Sequence, residues 1–123
     1  MVNLFKCKSI CKELSECSHN TKNRVIEKMC DYNGEECKVL ADYLQSLMIM
    51  ESLCNYICLC CCEHESLSSS ILSELKSKCT LLIKQSDQLC KFLESKDSEY
   101  LRCKKIKQHC NKCKNMNSSK TKK

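Results

Sequence analysis

The chain has no proline, no tryptophan and one glycine, Gly34, in 123 residues. Loop-rich disulfide scaffolds need turn residues, so this poverty of Gly and Pro counts against that class. A thioredoxin-like fold is excluded for a related reason, since neither its alternating strand pattern nor its Pro is present. Aromatic residues are few, and there are only two Arg, Arg24 and Arg102. Without aromatics interleaved among the lysines, the late basic run RCKKIKQHCNKCKNMNSSKTKK reads as a solvated helix face with a frayed end, and no specific nucleic-acid partner is expected. The opening segment MVNLFKCKSICKEL holds no apolar run of a secretory signal, and no uninterrupted stretch of about 18 apolar residues exists to span a bilayer. The expectation is therefore a cytoplasmic protein with no membrane partner, in a compartment that keeps thiols reduced. No constellation of acid, base and nucleophile with a cleft signature is visible, so the chain is not expected to be an enzyme.

What the sequence does have is sulfur. There are 15 Cys, above the 8–10% or so at which a short chain is suspected of depending on its cysteines. The number is odd, so one thiol stays unpaired in any monomeric disulfide scheme. The segment CNYICLCCCEH, residues 54–64, alone carries five.

Turn signals divide the chain at DYNGEE (31–36), ESLSSS (65–70) and SKDSE (95–99). They delimit helices over about 3–31, 35–64, 70–95 and 98–116, with a disordered basic tail at 117–123, all within one domain. Short connections between long helices make neighbours antiparallel, so the expected fold is all-α, an up-down-up-down four-helix bundle with a cysteine-lined core. The cysteines share the helical period of the leucines. Cys7 and Cys11, Cys54 and Cys58, Cys79 and Cys90, and Cys103 and Cys110 are separated by steps of four, eleven and seven, which return to one helix face at about 100° per residue. Counted from Cys58, Cys61 and Cys62 lie within about 60° of the inward direction, whereas Cys60 points outward.

A core of Cys and Leu alone would be underpacked, so packing is a poor account of the whole set. Facing helices can be stapled by disulfides, and a secreted, disulfide-stapled helical effector is the alternative from a different class. Zinc held by four thiolates is another, with Cys58-x2-Cys61 and Cys110-x2-Cys113 as two half-sites, although neither has the Gly-bearing knuckle turn. Cu(I) suits the pattern best. It is a soft ion that takes two or three thiolates, and an i,i+4 pair aims both sulfurs at one space.

The stripe CNYIC, the pattern C-x6-C-x2-C in CKKIKQHCNKC and the four-helix organisation together resemble the four-helix-bundle copper storage proteins. That resemblance implies cytosolic storage or buffering of several Cu(I) ions by inward thiolates. It carries over to Cys7, Cys11, Cys54, Cys58, Cys61, Cys62, Cys79, Cys90, Cys103, Cys110 and Cys113. Cys17, Cys30 and Cys37 form a second rank, with His64, His109 and Met116 as soft or borderline ligands beside thiols. Met48 and Met50 are better explained by packing. A copper donor or acceptor protein is the implied partner, and self-association stays open. Leu14, Leu44, Leu47, Leu82, Ile83 and Ile106 replace thiols along the middle of the expected core. The thiols should therefore gather at one end of the molecule, beneath an aliphatic belt.

Overall fold

Every regular element among the described residues is a helix. The structure, a computed structural model, describes residues 4–63 and 67–116, with the backbone alone for Leu4 and Phe92. Five helices follow in order: α1 (Leu4–Met29), α2 (Gly34–Cys62), α3 (Ser69–Phe92), α4 (Ser95–Tyr100) and α5 (Cys103–Asn115). α1 runs unbroken from Leu4 to Met29, close to the expected 3–31. The expected fourth helix is two, α4 and α5. They are divided at Arg102, a non-glycine residue in the left-handed region at φ 59°. Leu101, immediately before it, is fully buried, so the joint is anchored from inside. The tail from residue 117 lies outside the described residues.

The turns form where the sequence signals them. Gly34 opens α2 at φ +61°, a conformation that costs L-residues about 1–2 kcal/mol. Glu35 and Glu36 then lie in the first turn of α2, where the helix dipole favours negative charge. Ser68 caps α3, its Oγ accepting from the Ile71 backbone N–H at 3.2 Å. α4 begins at Ser95, about one turn before the expected helix start at 98, with Glu94 as its N-cap.

α1 packs against α2 and α5, and α3 packs against α2 and α5. In each packed pair the residue numbers run oppositely. Ser15 donates to Asn55 Oδ1 at 2.6 Å while His19 meets Glu51 at 2.9 Å. On the other side of the molecule Lys107 meets Asp87 at 2.8 Å, and Cys79 lies beside Cys113. Leu14, Leu40, Leu47, Leu75, Leu82 and Ile106, all fully buried, make up much of the aliphatic core.

That core is less aliphatic in its middle than the leucine pattern predicts. Ser18, Thr21, Tyr43 and Ser86 are buried there with hydroxyl oxygens that find no hydrogen-bond partner among the described residues. α2 is long and apolar enough, by length and composition, to cross a membrane, although no uninterrupted apolar run exists. Nine of its residues, among them Leu40, Leu47, Cys54 and Ile57, are buried against the other helices. A buried core helix has the same composition as a spanning one.

A polar clamp closes the end that carries the α1–α2 turn. Tyr32 donates to Asp97, Lys28 pairs with the same carboxylate at 3.2 Å, and Tyr100 donates to Glu27. Arg24 and Lys28 lie over the Tyr100 ring at 4.9 and 5.5 Å from its centroid. Together they dock α4 on α1.

Candidate metal centre

At the opposite end, four helices bring thiols to one interior space. α1 supplies Cys7 and Cys11, α2 supplies Cys54 and Cys61, α3 supplies Cys79, and α5 supplies Cys110 and Cys113. All seven are buried. Within each helix the spacing places them in phase with neighbouring core leucines, and the opposed helix directions put the start of α1 beside the ends of α2 and α5. Cys11 is the hub, in interaction with Cys7, Cys54 and Cys113. Cys7 continues to Cys61, and Cys79 joins Cys110 and Cys113. Well-formed thiol hydrogen bonds go elsewhere: Cys54 donates to Met50 Sδ and half-buried Cys58 to the Lys8 carbonyl, each at 3.6 Å.

The electrostatics follow from burial and crowding. The thiols crowded around Cys11, Cys113 foremost, pull its pKa down, and Cys110 and Cys113 lower Cys79 to about 5. Their neighbours move the other way. Cys7 and Cys54 are raised by the closeness of Cys11 and then by burial, Cys113 by Cys11 and Cys79, and Cys110 by Cys79. A buried space of this size resists a second charge near the first, because little solvent screens them. Burial also pushes Cys58 up to about 11. Basic residues at the rim oppose this: Lys114 favours the thiolates of Cys79 and Cys110, and Lys8 interacts with Cys62 and Cys58.

Several expected ligands fall elsewhere. Cys62 is exposed and Cys60 is buried, the reverse of the expectation. The expectation measured angles from Cys58, which sits at the α1 edge of α2 rather than at the centre of its buried face. Counted from fully buried Ile57, Cys60 lies at about −60° and Cys62 at about 140°. Cys60 nevertheless stays outside the contiguous core cluster. Cys90 is exposed where an inward position was expected, because only the first turn of α5 covers that end of α3. Cys103 is buried beside it, and the two interact with each other.

Of the second rank, Cys17 is buried one level above the network, with Thr21 and Arg102 as neighbours. Cys30 is exposed beyond the end of α1, and Cys37 is half-buried. His109 is half-buried and faces Glu13 of α1 at 3.8 Å; burial lowers its pKa. Met116 is buried at the end of α5 within the core cluster, and Met48 is exposed. His64 lies outside the described residues. Met50 is fully buried and accepts from Cys54, a thioether contact that helical spacing alone did not separate from packing.

All fifteen cysteines are free thiols. Among the described residues, no three His, Cys, Asp or Glu side chains are gathered into a preformed metal-holding group. The sulfurs run as a branched line of neighbours instead of converging on one point. No protein-family model, curated protein or solved structure matches the chain.

Proposed function

We propose that this protein is an antiparallel four-helix bundle that stores or buffers Cu(I), holding several ions among thiolates at one end of its interior. The observation that carries the reading is the seven-thiol network Cys61–Cys7–Cys11–Cys54/Cys113–Cys79–Cys110, with Cys58 at its margin. Its donor set is all sulfur, with Met50 alongside, and among the described residues no carboxylate or imidazole side chain is buried. Such a set suits a soft monovalent ion better than calcium, magnesium or manganese. A line of neighbours also suits an ion content with two or three sulfurs, which small side-chain rotations can bring together. A tetrahedral zinc centre asks four sulfurs to converge.

Loading is favourable for a second reason. Each bound ion replaces thiol protons and neutralises thiolates that are costly to bury uncompensated. Lys8 and Lys114 at the rim offset what negative charge is left. Copper is cargo in this reading, and the protein performs no catalysis.

The test is anaerobic titration of the fully reduced protein with Cu(I) against a chromogenic Cu(I) chelator, with free thiols counted in parallel. Eight thiols at two per ion hold about four Cu(I), and more when sulfurs are shared. Zinc should bind in smaller number and be displaced by Cu(I). Fewer than three tightly held Cu(I) ions, or a native protein with few titratable thiols, sinks the storage reading.

A further inference from the structure

Cys90 and Cys103 lie apart from the copper-binding network proposed above. Cys90 is exposed on the last turns of α3, and Cys103, the first residue of α5, is 1% exposed. The two are electrostatic neighbours. Both line one pocket of about 400 Å³, between the end of α3, α4 and the start of α5. The same pocket is lined by Arg102, Lys104 and Lys105, against a single carboxylate, Glu99. None of those three cations is paired with a carboxylate among the described residues. The volume lies in the range of small-molecule sites. It is a dithiol at the floor of a basic pocket, with one sulfur reachable from solvent and the other behind it.

We propose that Cys90 and Cys103 are a thiol–disulfide exchange pair that reacts with anionic, low-molecular-mass disulfides bearing carboxylates. The Cys90 thiolate attacks one sulfur of the incoming disulfide. A mixed disulfide forms at Cys90, the incoming S–S bond breaks, and the first leaving thiolate takes up the proton that Cys90 gave up. Cys103 then loses its proton and attacks Cys90 Sγ, expelling the second small thiolate, which is protonated in turn. Two protein thiols are oxidised to one disulfide, and one small disulfide is reduced to two thiols. Exposure assigns the order, since only Cys90 is open to a ligand. The burial of Cys103 makes the second step the slower one. The product staples the last turn of α3 to the first turn of α5, next to the left-handed joint at Arg102.

The experiment uses the reduced, metal-free full-length protein with oxidised glutathione as the probe, quenched by acid and alkylation and mapped by peptide mass spectrometry. Cys30, exposed and outside the pocket, is the internal control. Cys90 should be glutathionylated before Cys30, and a Cys90–Cys103 cross-link should follow. The double variant Lys104→Gln/Lys105→Gln, at two exposed positions, should slow the first step about fivefold with oxidised glutathione, from two solvent-screened and individually weak charge interactions. It should leave the rate with uncharged hydroxyethyl disulfide unchanged. Cys103→Ser should stop the reaction at the mixed disulfide; should that variant not fold, the wild-type cross-link and the lysine variant decide. Reaction at Cys90 no faster than at Cys30, equal slowing with both disulfides, or absence of the cross-link overturns the proposal.

Discussion

Replacing Cys11 by Ser removes the hub of the thiol network while changing one atom. Cys11 is fully buried and interacts with Cys7, Cys54 and Cys113. Without its sulfur there remain the pair Cys7–Cys61, and a group of five in which Cys54 still interacts with Cys79 and Cys58, and Cys79 with Cys110 and Cys113. At two sulfurs per ion, eight thiols hold about four Cu(I) ions, whereas the pair holds about one and the group of five about two. Cys11→Ser should therefore lose about one ion. Cys110→Ser, at the end of the line and tied chiefly to Cys79, should lose about one ion. Cys30→Ser, exposed beyond the end of α1, should lose none. In the apo protein, a serine hydroxyl buried among weak thiol partners should cost about 1–3 kcal/mol of stability. Anaerobic Cu(I) titration against a chromogenic chelator measures the first effect, and the urea midpoint of the reduced apo protein measures the second. If Cys11→Ser retains as much copper as Cys30→Ser, the hub geometry is wrong.

Copper should raise the thermal midpoint of the reduced protein, since it binds the folded state preferentially; at a free concentration a thousand times Kd the gain is about 4 kcal/mol, read by differential scanning calorimetry with and without Cu(I). Stability of the apo protein should fall with rising pH from about 9. Burial raises the Cys58 and Cys103 thiols from 9.0 to about 11 and about 12, so the folded state holds protons that the unfolded chain releases. That stabilisation is fully present below pH 9 and is lost as the pH climbs through the folded values; urea melts at pH 8 and 10.5 should show it. Tyr100→Ala should destabilise the protein, because it removes the ring under Arg24 and Lys28 and the donor to Glu27. Chemical denaturation reads it, and no change would mean that Asp97 and Leu101 hold α4 without Tyr100. Leu82→Ala, at a fully buried position of α3, should cost about 2–5 kcal/mol by leaving a cavity, whereas Leu81→Ala next to it, 39% exposed, should cost far less.

Helices, their turns and the gathering of thiols toward one end are legible in the one-dimensional pattern. Periodicity is a property of the backbone, and Gly34 and Ser68 act on residues only one to three positions away. The placement of Cys7, Cys11, Cys54, Cys61, Cys79, Cys110 and Cys113 inside the molecule follows from the same period. What helical phase could not supply is the direction of the centre of each buried face. On α2 that centre is set by where α1 and α3 flank it, so Cys60 is covered and Cys62 is left in solvent. On α3 the exposure of Cys90 depends on how late α5 begins, and that depends on the joint at Arg102, a position with no glycine to announce it. The hub role of Cys11 is likewise a matter of three other chain segments arriving at one sulfur. Sequence alone decided which residues could face inward, because a helix repeats every 3.6 residues whatever surrounds it. Only the tertiary structure decided which of those thiols meet, because contact between sulfurs on different helices depends on the packing of all four at once.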